Sequence, residues 1–270
     1  MSEHGATAAR DSYDPYFYDR LFAAEERHFW FRARNRVIVA MVRQLLASFP
    51  ENCRILEVGC GTGNVLRALE PVCPPGSLTG MDLFDEGLRF ARARTRCSLV
   101  KGDLYHPPFD NPFHLIGMFD VLEHLEADDQ ALRALHQLLL PTGLLFLTVP
   151  ARPELWSYFD QSSCHQRRYT VADLSAKLAN AGYRLEFVSQ FMMALYPLIW
   201  AGRRLASSRR RPGEINAREL TARELKIVPV FNQLMFWLLS AEAPWLAARR
   251  RLPLGSSILA LARKTPKNGN

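Results

Sequence analysis

Residues 55–66 read ILEVGCGTGNVL. Four residues of strand character, ILEV, run into glycine at 59, 61 and 63, and a helical pattern opens after them. Side chains at those three positions would block a ligand approaching the backbone and the N–H groups of the helix start, so the stretch reads as a nucleotide-type turn. A dinucleotide fingerprint of the GxGxxG kind needs glycine at 64, where this chain has Asn64. Glu57 weighs further against a pyrophosphate. A carboxylate beside the loop repels phosphate and suits a ligand that carries an ammonium group and a sulfonium.

Outward from that turn, short apolar strands alternate with helix-period segments. A helix is expected from Thr62, a strand at 77–82 (SLTGMD), a helix from Asp85 and a strand at 97–101 (CSLVK). There follow a strand at 114–120 (HLIGMFD), a helix from 128 to 140, and a strand at 143–150 (GLLFLTVP) after a Pro-Thr-Gly turn. A helix from Thr170 to Ala181 ends at Gly182, a C-cap glycine, before a strand at 183–191. Strand alternating with helix means βαβ units and a parallel sheet, a Rossmann-like doubly wound α/β fold. Upstream, apolar residues recurring at three and four predict one helix over 14–47, ended by Pro50. Downstream, 192–254 departs from the rhythm, and GSSILALAR (255–263) returns to strand character. The division expected is a helical cap at 1–50, a core at 51–191 with 255–265, and a helical insertion at 192–254.

Asp82 ends the second strand, where a carboxylate can accept from both ribose hydroxyls, and Asp103 follows the third, in reach of adenine amino hydrogens. Three acidic residues at successive strand ends lie along one carboxyl edge, the edge where open α/β sheets bind ligands. Helix capping and turn roles would explain each of them singly but not the series. The ligand that matches a carboxylate at 57 and a bare glycine turn is S-adenosylmethionine, with S-adenosylhomocysteine as product.

With EVGCGTG (57–63), MDLF (81–84), GDL (102–104), FDVLEHL (119–125) and LLPTGLLFLTVPA (139–151), the chain resembles the class I S-adenosylmethionine-dependent methyltransferases of the small-molecule methyltransferase-domain families. EERHFWFRARNRVI (25–38), LWSYFDQSSCHQRRYT (155–170) and LPLGSSILALARK (252–264) resemble a bacterial subfamily that shares the insertion. The resemblance implies a seven-stranded sheet whose last strand, 255–263, runs antiparallel. It also implies cofactor contacts from Glu57, Gly59, Gly61, Asp82, Leu83, Asp103, Leu104 and Phe119, with Cys60 and Gly63 in the same loop. Arg34 is the matching arginine for the methionine carboxylate, and Trp30 shares its helical face. Packing of Trp30 and Phe31 against the sheet explains these aromatics equally well. His114 departs from the family, which begins that strand with Asp.

Methyl transfer is an in-line displacement, so the enzyme must hold the nucleophile near the sulfonium methyl and exclude water. An oxygen nucleophile also benefits from a base. His124, after the fourth strand, is the first candidate. His165 is the second, on a loop that also carries Asp160, Arg167, Arg168 and Tyr169, and Tyr169 completes the catalytic set. Against these stand structural roles: His124 capping its loop, and Arg168 with Tyr169 pinning the helix from Thr170. Asp120 and Glu123 read as structural. The acceptor expected is small or lipid-like and is methylated at oxygen. Methylation at nitrogen or carbon stays open, as does a catalytically silent cofactor-binding scaffold.

The 270 residues are 48% apolar and 23% charged, which excludes collagen-like, low-complexity and wholly disordered chains. Five cysteines without a CxxC pair fit neither a disulfide framework nor a zinc site, and no metal is expected. The longest nearly uncharged apolar stretch, 191–202, is too short to span a membrane, and the first residues lack the apolar core of a secretory signal. A cytoplasmic protein is expected. Net charge is +7, yet 191–270 holds 14 basic and 4 acidic side chains, so the basicity belongs to the last third. Arg203, Arg204, Arg209 to Arg211 and Arg249 to Arg251 border aromatic apolar stretches. Three uses stay open for 192–254: a substrate wall, a surface that docks peripherally on the inner membrane face, and a homodimer contact. No recognition motif accompanies the arginines, so specific nucleic-acid binding is not expected.

Overall fold

Ile55–Val58 (β1) lies at the middle of the sheet, hydrogen-bonded in parallel to Leu78–Asp82 (β2) on one side and Phe113–Phe119 (β4) on the other. This computed structural model describes residues 17–209 and 226–265, with side chains described at 18–202 and 226–265. The cluster Arg209 to Arg211 and the charged middle of the insertion therefore lie outside the described residues or side chains. Ser98–Lys101 (β3) pairs with β2, and Leu139–Pro150 (β5) pairs with β4. Ser257–Lys264 (β7) inserts antiparallel between β5 and Tyr183–Phe191 (β6). The strand order β3-β2-β1-β4-β5-β7-β6 makes seven strands, mostly parallel, with the last reversed. The order turns back between β1 and β4. Ligands of open α/β sheets bind outside the carboxyl ends at such a switch point.

Each face of the sheet buries its own helix layer. Phe29–Leu46 (α2) presents Ala33, Val37, Ile38, Met41, Val42 and Leu45, three and four apart, to one face. Asn64–Leu69 (α3) and Asp85–Arg94 (α4) share that face through Val65, Leu66, Leu69 and Leu88. Asp128–Leu138 (α5) and Val171–Asn180 (α7, after the short α6 at Tyr158–Ser162) cover the other, with Ala131, Leu132, Leu135, Leu174 and Leu178.

The long amino-terminal helix expected over 14–47 is instead two helices, Phe17–Glu25 (α1) and α2. His28 breaks it: its backbone is extended, and its side chain accepts from Trp30 N–H, an N-cap role. The turn expected at Pro141-Thr142-Gly143 lies within β5. Phe113 pairs with Leu139 and Leu115 already with Leu144, so these residues bulge out of register instead of ending the chain direction.

Leu195–Arg209 (α8), Pro229–Ser240 (α9) and Glu242–Ala247 (α10) make up the described part of the insertion. Met235, Phe236, Leu239, Ala243 and Leu246 pack against α2. Asn232 ties α9 to the start of α2, accepting from Phe29 N–H at 2.8 Å and donating to the Arg27 carbonyl at 3.0 Å. Glu242 accepts from the N–H groups of Met192 and Met193, each at 2.7 Å, where β6 hands over to the insertion. The chain returns through Gly255, whose missing Cβ would meet the Phe191 carbonyl at 2.1 Å. Among the described residues no helix is long and apolar enough to cross a membrane.

Candidate functional site

The loop after β1 is stitched to the second strand: Gly59 N–H and Cys60 N–H both donate to the Met81 carbonyl, at 2.8 and 3.1 Å. Gly59 has φ +72°, and a Cβ there would lie 2.5 Å from the Val121 side chain. Any other residue is excluded twice over. Gly63, at φ +75°, opens α3, where a Cβ would press on Ala91 at 3.0 Å. Gly61 differs. Its φ of +50° favours glycine, but a Cβ would meet nothing within 4 Å, so this part of the loop faces open space. Its N–H donates to Asp82 Oδ2 at 2.7 Å, and Phe84 N–H donates to Asp82 Oδ1 at 2.9 Å. Burial raises the Asp82 pKa, against the pull of those N–H groups.

Glu57 stands in register with Gly80 of β2 and Gly117 of β4. The two glycines admit neighbours that side chains would displace: Leu66 and Cys60 over Gly80, and the Phe119 ring over Gly117. Glu57 is buried and its Oε2 has no hydrogen-bond partner among the described residues. Burial pushes its pKa up to about 8, with Arg34 drawing it down and Asp82 and Glu25 adding to the rise. A carboxylate left this way is a place for a cation.

Arg34 is also buried, and its Nη1 meets Asp120 Oδ2 at 2.6 Å, so the arginine read as the carboxylate partner of a ligand already holds an ion pair. Its guanidinium lies 5.0 Å from the centre of the Trp30 ring, which packs edge-on against Phe31. Beside it, Asn35 donates to Asn64 Oδ1 and to the Asn64 carbonyl, at 2.5 and 3.3 Å. The residue that breaks the dinucleotide pattern is thus the anchor of α2 on the loop. A second anchor joins Glu25, Thr62 and Arg94.

Asp103 lies beyond β3, partly exposed, and accepts from Tyr105 N–H at 2.9 Å. Leu83 is exposed next to Asp82, and Leu104 is buried. Cys60 is buried in the loop, with its thiol pKa pushed well up by burial and by the Asp82 and Glu57 carboxylates. Phe119 closes β4, its ring 5.2 Å from that of Phe146.

Past β4 the chain turns through Asp120, at φ +56°, into a single 3₁₀ turn, Leu122–His124. His124 and His165 stack edge to face with ring centres 4.7 Å apart. Burial and the neighbouring His165 drive the His124 pKa down to about 3, so its imidazole is neutral at physiological pH and holds a proton poorly. His165 Nδ1 faces Asp160 Oδ1 at 3.0 Å, and Arg168 Nε donates to the same oxygen at 2.6 Å. Asp160 is itself locked in the capping box of α6, accepting from Ser157 N–H at 2.9 Å. Those partners hold the Asp160 carboxyl below the usual range despite its burial.

Tyr169 does not belong to this cluster, which corrects its place in the expected catalytic set. It is fully buried in the core beneath α5 and α7, and its hydroxyl donates to Asp128 Oδ2 at 2.9 Å and lies 3.4 Å from the Leu122 carbonyl. Lys177 and Arg167 pair with the same carboxylate, at 3.0 and 2.8 Å, so Lys177 ties α7 to α5 while Tyr169 and Arg167 tie the segment before α7 to it.

The profile of a family described as Methyltransferase domain matches residues 27–187, which run from the start of α2 to β6. The chain belongs to that family. A probable S-adenosylmethionine-dependent methyltransferase of Mycolicibacterium smegmatis is 27% identical over 165 residues, 60% of this chain and 62% of that protein. A fatty-acid O-methyltransferase of the same organism is 33% identical over 149 residues, 52% of this chain and 46% of that one. The alignments thus span between about half and three fifths of those relatives. Among solved structures, the methyltransferase bound to the Trm112 methyltransferase activator of Haloferax volcanii superposes with TM-score 0.56 at 18% identity. That superposition covers 99% of this chain and 98% of the other, and it speaks for the fold.

The residues of this methyltransferase-domain chain fit S-adenosylmethionine, the cofactor of the family. The loop is open at Gly61, Glu57 Oε2 has no hydrogen-bond partner among the described residues, and Asp82 ends β2 and Asp103 follows β3 at the same carboxyl edge. One contact of the loop was missed by reading residues alone. Asn35 gave no signal, because its partner is 29 residues away.

Proposed function

We propose that the protein transfers the methyl group of S-adenosylmethionine to an oxygen of a small or lipid-like acceptor. The observation that carries the reading is Glu57, a buried carboxylate with an unpartnered oxygen beside a glycine loop at the sheet's switch point. Glu57, Gly61, Asp82 and Asp103 would hold the cofactor, which supplies an electrophilic methyl on sulfur. Arg34 lies near enough to Glu57 to draw its pKa down.

At the acceptor side, His165 takes the role of base in this reading, and not His124. Asp160 holds its Nδ1 at 3.0 Å, which leaves Nε2 as the nitrogen for an acceptor proton. His124, with its depressed pKa, serves to orient its neighbour. A lipid-like acceptor is supported by the apolar insertion and by the relative named as a fatty-acid O-methyltransferase. Val230, Phe231, Leu234, Trp237 and Leu238 form an exposed apolar stripe at helical spacing on α9. Arg36 and Arg250 border it, lying over Trp237 and Trp245. Aromatics with arginines suit the surface of an anionic membrane, from which such an acceptor would be drawn.

Incubation of the full chain with methyl-labelled S-adenosylmethionine and fractionated lipids or free fatty acids tests the reading. Label in the lipid fraction is expected, base-labile where the acceptor oxygen is a carboxylate and base-stable, as an ether, where it is a hydroxyl. Label on nitrogen would move the chemistry, and no transfer to any fraction would leave a silent binding protein.

A further inference from the structure

The loops that follow β4 and β5 bring three groups of metal-ligand type to one point. One donor atom each from Glu123, His124 and His165 lie within 4.8 Å of one another. Two separate loops build the cluster, joined where Gln166 N–H donates to the Glu123 carbonyl at 2.8 Å. Glu123 is 1% exposed, and its Oε2 has no hydrogen-bond partner among the described residues. The cationic side chains near it are committed elsewhere: Arg34 to Asp120 and Arg168 to Asp160, both at 2.6 Å. His165 has the outer-shell support usual for a metal-bound imidazole, a carboxylate on the nitrogen that does not ligate.

We infer that Glu123, His124 and His165 form a site for one divalent transition-metal ion of the Zn²⁺, Co²⁺ or Mn²⁺ class, with Asp160 as positioning residue. Two imidazoles and one carboxylate suit such ions and leave coordination positions open. Mg²⁺ prefers an octahedral shell of oxygens and is disfavoured. The site adjoins the cofactor loop, because Val121, two residues before Glu123, packs on Gly59.

What the ion is for rests on the methyl-transfer reading. An acceptor hydroxyl bound to it loses its proton to water more readily. Its oxygen then forms the new bond to the methyl carbon while the sulfur–methyl bond breaks and that electron pair stays on sulfur. In this state His165 is a ligand, and the ion takes over the acidifying role of the base.

The test uses the full chain, stripped with chelator and titrated with Zn²⁺, Co²⁺ and Mg²⁺. About one Zn²⁺ or Co²⁺ per chain is expected, with Mg²⁺ at least about tenfold weaker. Glu123→Gln and His165→Gln should each lower Zn²⁺ affinity more than about tenfold, and Asp160→Asn by about tenfold, while S-adenosylhomocysteine affinity stays at the wild-type value. Equal Zn²⁺ affinity in wild type and variants, or no binding to wild type, would overturn the site. So would thiolate charge-transfer bands in the Co²⁺ spectrum, which would give the ion to cysteines even if a variant misfolds. Failure of S-adenosylhomocysteine to bind the wild type would remove the methyl-transfer reading, and the Zn²⁺ titration would still decide this one.

Discussion

The rim at β1 and β2 and the cluster after β4 and β5 each bury two carboxylates, and each treats its pair unequally. On the rim, Asp82 is satisfied by two backbone N–H groups while Glu57 Oε2 has no partner among the described residues. In the cluster, Asp160 is satisfied by Ser157, His165 and Arg168 while Glu123 Oε2 has none. In both places one acid is tied into the architecture, and the proposals above rest on the other. Burying a carboxyl oxygen without a partner is costly to the charged form, and burial raises the pKa of both Glu57 and Glu123.

Removing an architectural acid should therefore cost the most stability. Asp160→Ala leaves Arg168 buried without its ion partner, and chemical denaturation should show a loss of about 3–5 kcal/mol. Glu123→Gln should cost far less, which is the contrast to look for. Gly59→Val should lose about 1–3 kcal/mol from its left-handed backbone and abolish S-adenosylhomocysteine binding, because the new side chain drives into Val121. Binding retained in that variant would break the assignment of the loop. Asn64→Gly restores the dinucleotide glycine pattern but strands Asn35, so a loss of about 1–2 kcal/mol with no gain of NAD binding is expected by denaturation and calorimetry. The smallest effect belongs to the surface. Trp237→Ser should change stability by less than about 0.5 kcal/mol yet reduce sedimentation with anionic vesicles at low salt. Unchanged sedimentation, or dimer formation lost instead, would assign the stripe to a second copy.

Much of the fold was legible because its signals are local. The glycine turn, the strand ends at Asp82 and Asp103 and the C-cap at Gly182 depend on neighbours in sequence. What escaped depends on partners far along the chain. His28 breaks a helix that periodicity alone would continue, and the bulge at Pro141 to Gly143 exists only in register with β4. Tyr169 looked catalytic from its polar company, yet that company holds it in the core through Asp128. The burial of Glu123 cannot be read from FDVLEHL, and neither can the approach of His165 from another loop.

The central claim is that Glu57 waits for a cation, and proton linkage tests it most directly. In the cofactor-free protein its raised pKa means that it binds a proton the unfolded chain has released, so its contribution lowers stability as pH rises from the ordinary carboxylate range through about 8. A cationic ligand must displace that proton. Calorimetric titration of S-adenosylmethionine between pH 6 and 9 should therefore show affinity rising by up to about tenfold per unit below the Glu57 pKa and levelling above it, with Glu57→Gln weak and flat. Equal, pH-independent affinity in both proteins would contradict the claim.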